Sequence, residues 1–467
     1  MYPNLLKKRV SLTPTRLALS TESRSYTWQQ VMSRVHELAG KLPFESGSRV
    51  GIWAKNSEDV YFWSLALMWR DCEIVFFNER LSEKEWAYQE KDASVSLVLV
   101  DDKRRFTNCP PNIVTFEEVA DHEVAPYSST DMWEPDRTIS IMYTSGTTGK
   151  PKGVRQTLEN HMTSALGAAL TSGVLPEDKW LCMVPLFHIS GFSMIMRSLV
   201  YGSALELHER FDAEVAVEAI CNRGVTHFSV VTTMLGNLLD VIERDDRAIP
   251  SSFRVLLAGG GPVPKTYLLR AQAHQLPVLQ TYGMTETSSQ TCTLMPEDAL
   301  EKLGSVGKPL FFADIRIDGE AEGEIWIKGA HVTPGYIGDF REKNPLTEDG
   351  WFRTGDIGRL DADGYLYVLD RRSDLIVSGG ENVYPAEIEQ VLMNHPHVKE
   401  AGVVGMEDTK WGQVPVAYVV MEPQDEESLR QLSKETLAKF KQPVIYHFVA
   451  SLPRNASNKL VRRELKP

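Results

Sequence analysis

The chain has 467 residues, 42% of them hydrophobic and 24% charged, an ordinary globular balance with room for about two to three domains and no case for disorder or a fibrous repeat. A formal net charge of -13 argues against a chain whose main work is non-specific attraction to nucleic acid or to an anionic membrane surface. Five cysteines, Cys72, Cys109, Cys182, Cys221 and Cys292, form no CxxC pair, so they read as buried or inert thiols of a reducing compartment and not as a disulfide framework.

The opening stretch Met1 to Arg9 holds no apolar run of signal-peptide length, and Phe62 to Trp69 falls far short of a membrane span. A cytoplasmic location is the expectation. Thr27-x-x-Gln30 reads as a capping box, and Val31, Val35, Leu38 and Ala39 recur behind it at helical spacing. Short β-rich runs at Arg49 to Trp53 and Ser96 to Val100 alternate with a helical Asp59 to Trp69, the pattern of α/β layers. Such runs resume at Ile139 to Tyr143, Phe228 to Val231, Arg254 to Ala258 and Val278 to Thr281, each expected to open into a ligand-binding loop of Gly, Ser, Thr or Pro.

GEIWIKG, from Gly323 to Gly329, alternates as a strand, and Tyr365 to Leu369 forms another before the charged stretch Asp370 to Asp374. The main boundary is placed there, with an N-terminal domain over 1–372 and a C-terminal domain over 373–467. Beyond it, Pro385 to Met393 reads as a helix opened by proline, Glu400 to Val404 and Pro415 to Val420 as strands, and Glu427 to Phe440 as a helix. The fold class is α/β: a large N-terminal domain of layered α/β subdomains plus a small α+β C-terminal domain.

The densest chemical signal is Tyr143-Thr-Ser-Gly-Thr-Thr-Gly-Lys-Pro-Lys-Gly153, a strand running into three glycines, four hydroxyl side chains and two lysines. Glycines let backbone N–H groups approach a polyphosphate, hydroxyls add donors, and Lys150 or Lys152 supplies charge. It lacks the GxxxxGK[ST] ending of a Walker A loop. A glycine-rich surface turn is the plain alternative, but the run is longer and more particular than a turn requires.

TSGTTGKPKGV resembles the phosphate loop of the adenylate-forming superfamily of acyl-CoA synthetases, luciferases and peptide-synthetase adenylation domains. Tyr282-Gly-Met-Thr-Glu286, Thr354-Gly-Asp356, Arg371 and PRNASNKLVRREL follow in that family's order, so the resemblance runs from about Tyr26 to the last residues. It implies an enzyme that uses ATP and Mg²⁺ to activate a carboxylic acid as its acyl-adenylate and passes the acyl group to coenzyme A. Thr144, Ser145, Gly146, Thr147, Thr148, Gly149, Lys150 and Lys152 would cradle phosphate. Tyr282 and Gly283 would face adenine, Thr285 the α-phosphate, Glu286 the metal, and Asp356 and Arg371 the ribose, with Lys459 the catalytic lysine. Each has an ordinary structural reading when taken singly, Glu286 as a helix N-terminal charge and Asp356 as a turn residue; the ordered set has none.

The same resemblance implies a small domain that is mobile and turns between half-reactions, pivoting at Ser373 or its neighbours Arg372 and Asp374. It would swing in the loop Gly379-Gly380 to line a thiol tunnel. PLFHISGFSMIMRSLVYG, AGGGPVP and MTETSSQ are similar to o-succinylbenzoate–CoA ligases of menaquinone biosynthesis. A dicarboxylic aryl acid needs apolar walls, a cation for its unreacting carboxylate and polar donors. His188, Arg197, Gly259, Gly260, Ser289 and Gln290 are the candidates. A CoA ligase for another aryl or medium-chain acid, and a non-catalytic nucleotide-binding module, stand as alternatives, the second opposed by the joint presence of Lys459, Glu286 and Asp356. The partners expected are these small molecules and no nucleic acid. Oligomeric state is left open, a homodimer having no seam in the sequence to mark it.

Overall fold

Strands buried on both faces lose the apolar–polar alternation and read as continuous apolar runs, as in Thr138–Thr144, where every residue from Thr138 to Met142 is buried. In the computed structural model, which describes residues 1–43, 47–106, 109–127, 129–144, 150–371, 374–378, 381–409, 411–454 and 460–465, such strands build two large sheets. Among the described residues a seven-stranded sheet has Arg49–Trp53, Glu73–Phe76, Leu97–Val100 and Thr138–Thr144 at its parallel centre. A nine-stranded sheet has Lys179–Cys182, His227–Val231, Val255–Gly259 and Val278–Met284 at its own.

Between the sheets lie helices that are buried on nearly every face. Glu58–Trp69 is capped by Ser57, whose side chain accepts from Val60 N, and is buried at every position from Val60 to Trp69. Ile189–Tyr201 is buried from Gly191 to Leu199 and stops at Gly202, held at φ +79° where a left-handed turn ends the helix. Both sheets contribute to one continuous apolar core around these helices. The capping box at Thr27 and Gln30 is present and opens helix Trp28–Lys41. No helix among the described residues is long and apolar enough to cross a membrane.

A four-stranded antiparallel sheet ends with Phe352–Leu360 and Leu366–Arg371. After it comes a second core of Ile376, Val383, Ile388, Leu392, Val403 and Leu429, around a five-stranded sheet and the helices Pro385–Met393 and Glu426–Thr436.

Three expectations need correction. The helix expected to reach Phe440 stops at Thr436, because Leu437 adopts an extended backbone (φ -115°, ψ 142°) that turns its side chain into the small-domain core. Val231 opens no loop: helix Thr232–Arg244 starts at once, burying Met234, Leu235, Leu238 and Leu239. Among the cysteines, Cys72, Cys182 and Cys292 are buried, Cys221 is half-buried, and Cys109 is exposed.

Candidate active site

The carboxyl ends of parallel strands are where backbone groups and loops are left for a ligand. Here Thr138–Thr144, His227–Val231, Val255–Gly259 and Val278–Met284 all end at one cleft of about 2370 Å³, lined as well by small-domain residues that include Asn382, Tyr384 and Lys441. A single small-molecule site occupies roughly 300–1,000 Å³, so the cleft has room for several ligands at once.

Tyr282 and Asp356 form one wall. The Tyr282 hydroxyl donates to Asp356 Oδ2 at 2.7 Å, and burial together with that carboxylate pushes the phenol well above the usual tyrosine range, so it stays a donor. The buried Asp356 is aimed by its turn: its N–H donates to Thr354 Oγ1 (3.0 Å), which itself donates to Ile325 O (2.7 Å). Gly355 sits at φ +74° and donates from its N–H to Glu324 Oε1 at 2.9 Å. Gly283 has a stricter reason to be glycine, since a Cβ there would lie 1.6 Å from Ser289 O.

Thr285 opens a single 3-10 turn, Thr285–Thr287. Its carbonyl accepts from Gln156 Nε2 at 2.9 Å; Gln156 Oε1 accepts from Ser140 Oγ at 2.6 Å, and His161 Nε2 stands 2.9 Å from the same hydroxyl. Buried polar groups linked in this way fix one another's geometry. Glu286 is held through its carbonyl, which accepts from Thr333 N at 2.7 Å, while its Oε1 accepts from the Tyr336 hydroxyl at 3.4 Å. Burial and Glu286 both push the Tyr336 phenol up. Lys150 reaches Asp339 Oδ2 at 3.2 Å, and the Lys152 ammonium lies 5.2 Å from the Tyr336 ring centre and 5.5 Å from that of Phe340.

Among the described residues no group of three or more His, Cys, Asp or Glu side chains converges as a protein-made metal cage. One cleft-lining carboxylate, Glu286, fits Mg²⁺, which takes one or two protein oxygens and completes its shell with phosphate and water.

His188 is the residue before helix Ile189–Tyr201, half-buried in the cleft wall with its ring 4.6 Å from that of Phe187. Arg197, on the same helix, does not share that wall. It is 1% exposed and lies behind it, donating from Nη2 to Gln290 Oε1 (2.7 Å) and Ser289 Oγ (3.4 Å), with its guanidinium carbon 5.2 Å from the Trp180 ring centre. No carboxylate among the described residues pairs with this buried charge, and its Nε has no hydrogen-bond partner there. Burial pushes the Arg197 pKa down. Gly259 ends its strand against Thr281, and Gly260, at φ +85°, lines the cleft.

Ser145, Gly146, Thr147, Thr148, Gly149, Arg372, Ser373, Gly379, Gly380 and Lys459 lie outside the described residues, as does the side chain of Arg371. Tyr336, Gln156 and Asp339 escaped the sequence reading. Tyr336 meets its partner 50 positions away and Gln156 its own 129 away, so no local motif marks them.

Residues 6–337 match the AMP-binding enzyme family, and residues 387–459 the AMP-binding enzyme C-terminal domain. Over 479 aligned residues, 99% of each chain, the sequence is 44% identical to the 2-succinylbenzoate–CoA ligase of Bacillus licheniformis. The o-succinylbenzoate CoA synthetase of Bacillus subtilis in complex with the acyl-adenylate intermediate superposes with a TM-score of 0.93 at 41% identity, over 100% of this chain and 98% of that one. Its complex with ATP and magnesium ion gives 0.91 at 41% identity, over 100% and 99%. A double mutant of the same synthetase bound to a product analogue gives 0.76 at 41% identity, over 99% and 98%. The chain thus belongs to the AMP-binding enzyme family, the adenylate-forming superfamily, and within it stands with the 2-succinylbenzoate–CoA ligases.

Proposed function

We propose that the protein ligates o-succinylbenzoate to coenzyme A through an acyl-adenylate, consuming ATP and releasing AMP and pyrophosphate, as a step of menaquinone biosynthesis in the cytoplasm. The observation that carries this reading is the end-to-end likeness to a synthetase holding the acyl-adenylate, in a chain whose Tyr282, Thr285, Glu286, Asp356 and His188 line one cleft.

In the first half-reaction a substrate carboxylate oxygen attacks the α-phosphorus, the bond to the bridging oxygen breaks, and pyrophosphate leaves. Tyr282 offers its ring to adenine and Asp356 accepts from the ribose hydroxyls, with Arg371 beside it. Thr285 donates to the α-phosphate, while Thr144 to Gly149, Lys150 and Lys152 surround the leaving phosphates. Glu286 would hold Mg²⁺, whose charge screens those oxygens. Lys459 neutralises charge on the attacking and α-phosphate oxygens, where fixed positive charge lowers the barrier most. His188 and the backbone at Gly259 and Gly260 orient the acid.

Arg197, steadied by Gln290 and Ser289, supplies the counter-charge for the carboxylate that does not react. An uncompensated buried guanidinium is costly, and a substrate carboxylate on the cleft side would offset part of that cost through Gln290 and Ser289, without direct contact. In the second half-reaction the thiolate of coenzyme A attacks the acyl carbon and AMP departs, with Gly379 and Gly380 lining the thiol's path. The domains are assigned as 1–372 and 373–467, with the pivot among Arg372, Ser373 and Asp374. Exchange of labelled pyrophosphate into ATP tests the first step: it should require o-succinylbenzoate, and exchange supported equally by benzoate would remove the substrate assignment.

A further inference from the structure

Arg462 follows Lys459 by three residues, and three residues of chain span at most about 11 Å, so whatever fixes Arg462 limits where Lys459 can reach. Its guanidinium is shared by three carboxylates. Nη2 lies 2.7 Å from Glu389 Oε2, and Nη1 lies 3.0 Å from Asp374 Oδ2 and 3.5 Å from Asp370 Oδ1. Burial works against its charge, but Glu389, Asp370 and Asp374 outweigh it and hold the guanidinium above its ordinary range.

These partners sit on opposite sides of the connector. Glu389 is on helix Pro385–Met393 and Asp374 follows residues 372–373, whereas Asp370 belongs to strand Leu366–Arg371 of the large domain's four-stranded sheet. Asp370 also reaches across with its other oxygen, Oδ2 accepting from Ala386 N at 2.8 Å. If the small domain turns, Arg462 keeps Glu389, on its own domain, as counter-charge and parts from Asp370. The contact is therefore one that can open without stranding a buried charge.

We propose that Asp370 and Arg462 are positioning residues, a latch that holds the small domain in the orientation seen here and so presents the Lys459 segment for adenylate formation. The inference rests on the acyl-adenylate reading above. It agrees with this chain's closer likeness to the synthetase carrying the acyl-adenylate than to the form carrying the product analogue.

Asp370→Asn separates this role from a merely structural one, because it keeps an acceptor for Ala386 N and leaves the Arg462–Glu389 pair intact. Acid-dependent pyrophosphate exchange should fall about tenfold, while transfer from preformed acyl-adenylate to coenzyme A holds or quickens. Arg462→Lys should shift the balance the same way, and serves if the first variant does not fold. Domain orientation is read separately, by pulsed-dipolar distances between spin labels at the exposed Ser251 and Glu427, with Cys109 and Cys221 replaced by serine. A second distance population in the folded variants supports the latch. Unchanged distances, or equal loss of both half-reactions, overturn it. Shifted distances in a protein with no acid-dependent exchange would leave the latch standing and remove the functional reading instead.

Discussion

The Tyr282 hydroxyl donates to Asp356 Oδ2 at 2.7 Å across 74 positions of sequence, joining the end of strand Val278–Met284 to strand Phe352–Leu360. The Tyr282 ring and the Asp356 carboxylate, proposed above to take adenine and ribose, are thereby one unit. Tyr282→Phe keeps the ring and removes the bond. A hydrogen bond to a charged group is worth about 1.5–3 kcal/mol, so KM for ATP should rise about tenfold or more, with kcat changed less. Steady-state kinetics with ATP varied decides this, and an unchanged KM means that Asp356 is aimed without the phenol.

Arg197→Met removes a buried cation that has no carboxylate partner among the described residues. Losing one side of a buried charge pair costs about 2–5 kcal/mol, so kcat/KM for o-succinylbenzoate should fall at least about thirtyfold. The protein itself should lose about 1–3 kcal/mol of stability, because the buried Gln290 Oε1 is left without its donor. A kcat/KM equal to wild type would make Arg197 a structural arginine only.

Gly283→Ala places a methyl 1.6 Å from the Ser289 carbonyl oxygen, a backbone clash that no rotamer relieves. Strain of this kind costs about 1–3 kcal/mol. Both the urea midpoint and ATP affinity should drop, since Tyr282 and Ser289 flank the displaced segment. Retention of both would mean that the strand end shifts freely.

Burial pushes the His161 imidazole down to about 3 from 6.5, and that of His331 down to about 4. The unfolded chain then takes up protons below pH 6.5 that the folded chain refuses until far lower, so stability rises with pH across that window and is lost as pH falls through it. Each group contributes up to about 1.4 kcal/mol per pH unit. His161→Gln should flatten the fall in urea midpoint between pH 6.5 and 4 relative to wild type; parallel curves would show that His161 does not titrate on unfolding.

The elements that carry Tyr282 and Asp356 to the cleft are legible in the sequence because their signals are local. The β-rich run at Val278 to Thr281 marks the strand that carries Tyr282, and Thr354-Gly-Asp356 sets a turn in which the Asp356 N–H donates to Thr354 Oγ1 two residues away. What stayed hidden is non-local: Gln156 holding Thr285, Tyr336 against Glu286, and Arg462 gathering Asp370, Asp374 and Glu389 become visible only when separate elements meet. Arg197 shows both sides. Its place on a helix is readable, but its position behind the wall depends on how Ile189–Tyr201 packs on Ser289–Leu294. Where the helix expected to reach Phe440 stops short at Thr436, packing of Leu437 overrode a favourable local pattern.

Selective activation of one dicarboxylic aryl acid, dependent on Lys459, separates the proposed reaction from its alternatives. AMP release in the presence of ATP, Mg²⁺ and coenzyme A should be measured with o-succinylbenzoate, benzoate, a coumarate and octanoate, for wild type and for Lys459→Ala. Turnover of o-succinylbenzoate should stand well above that of the other three acids and fall in the variant by about a hundredfold or more, the scale of one fixed charge in a transition state. Equal turnover of the other acids, or a Lys459→Ala enzyme as fast as wild type, would contradict it.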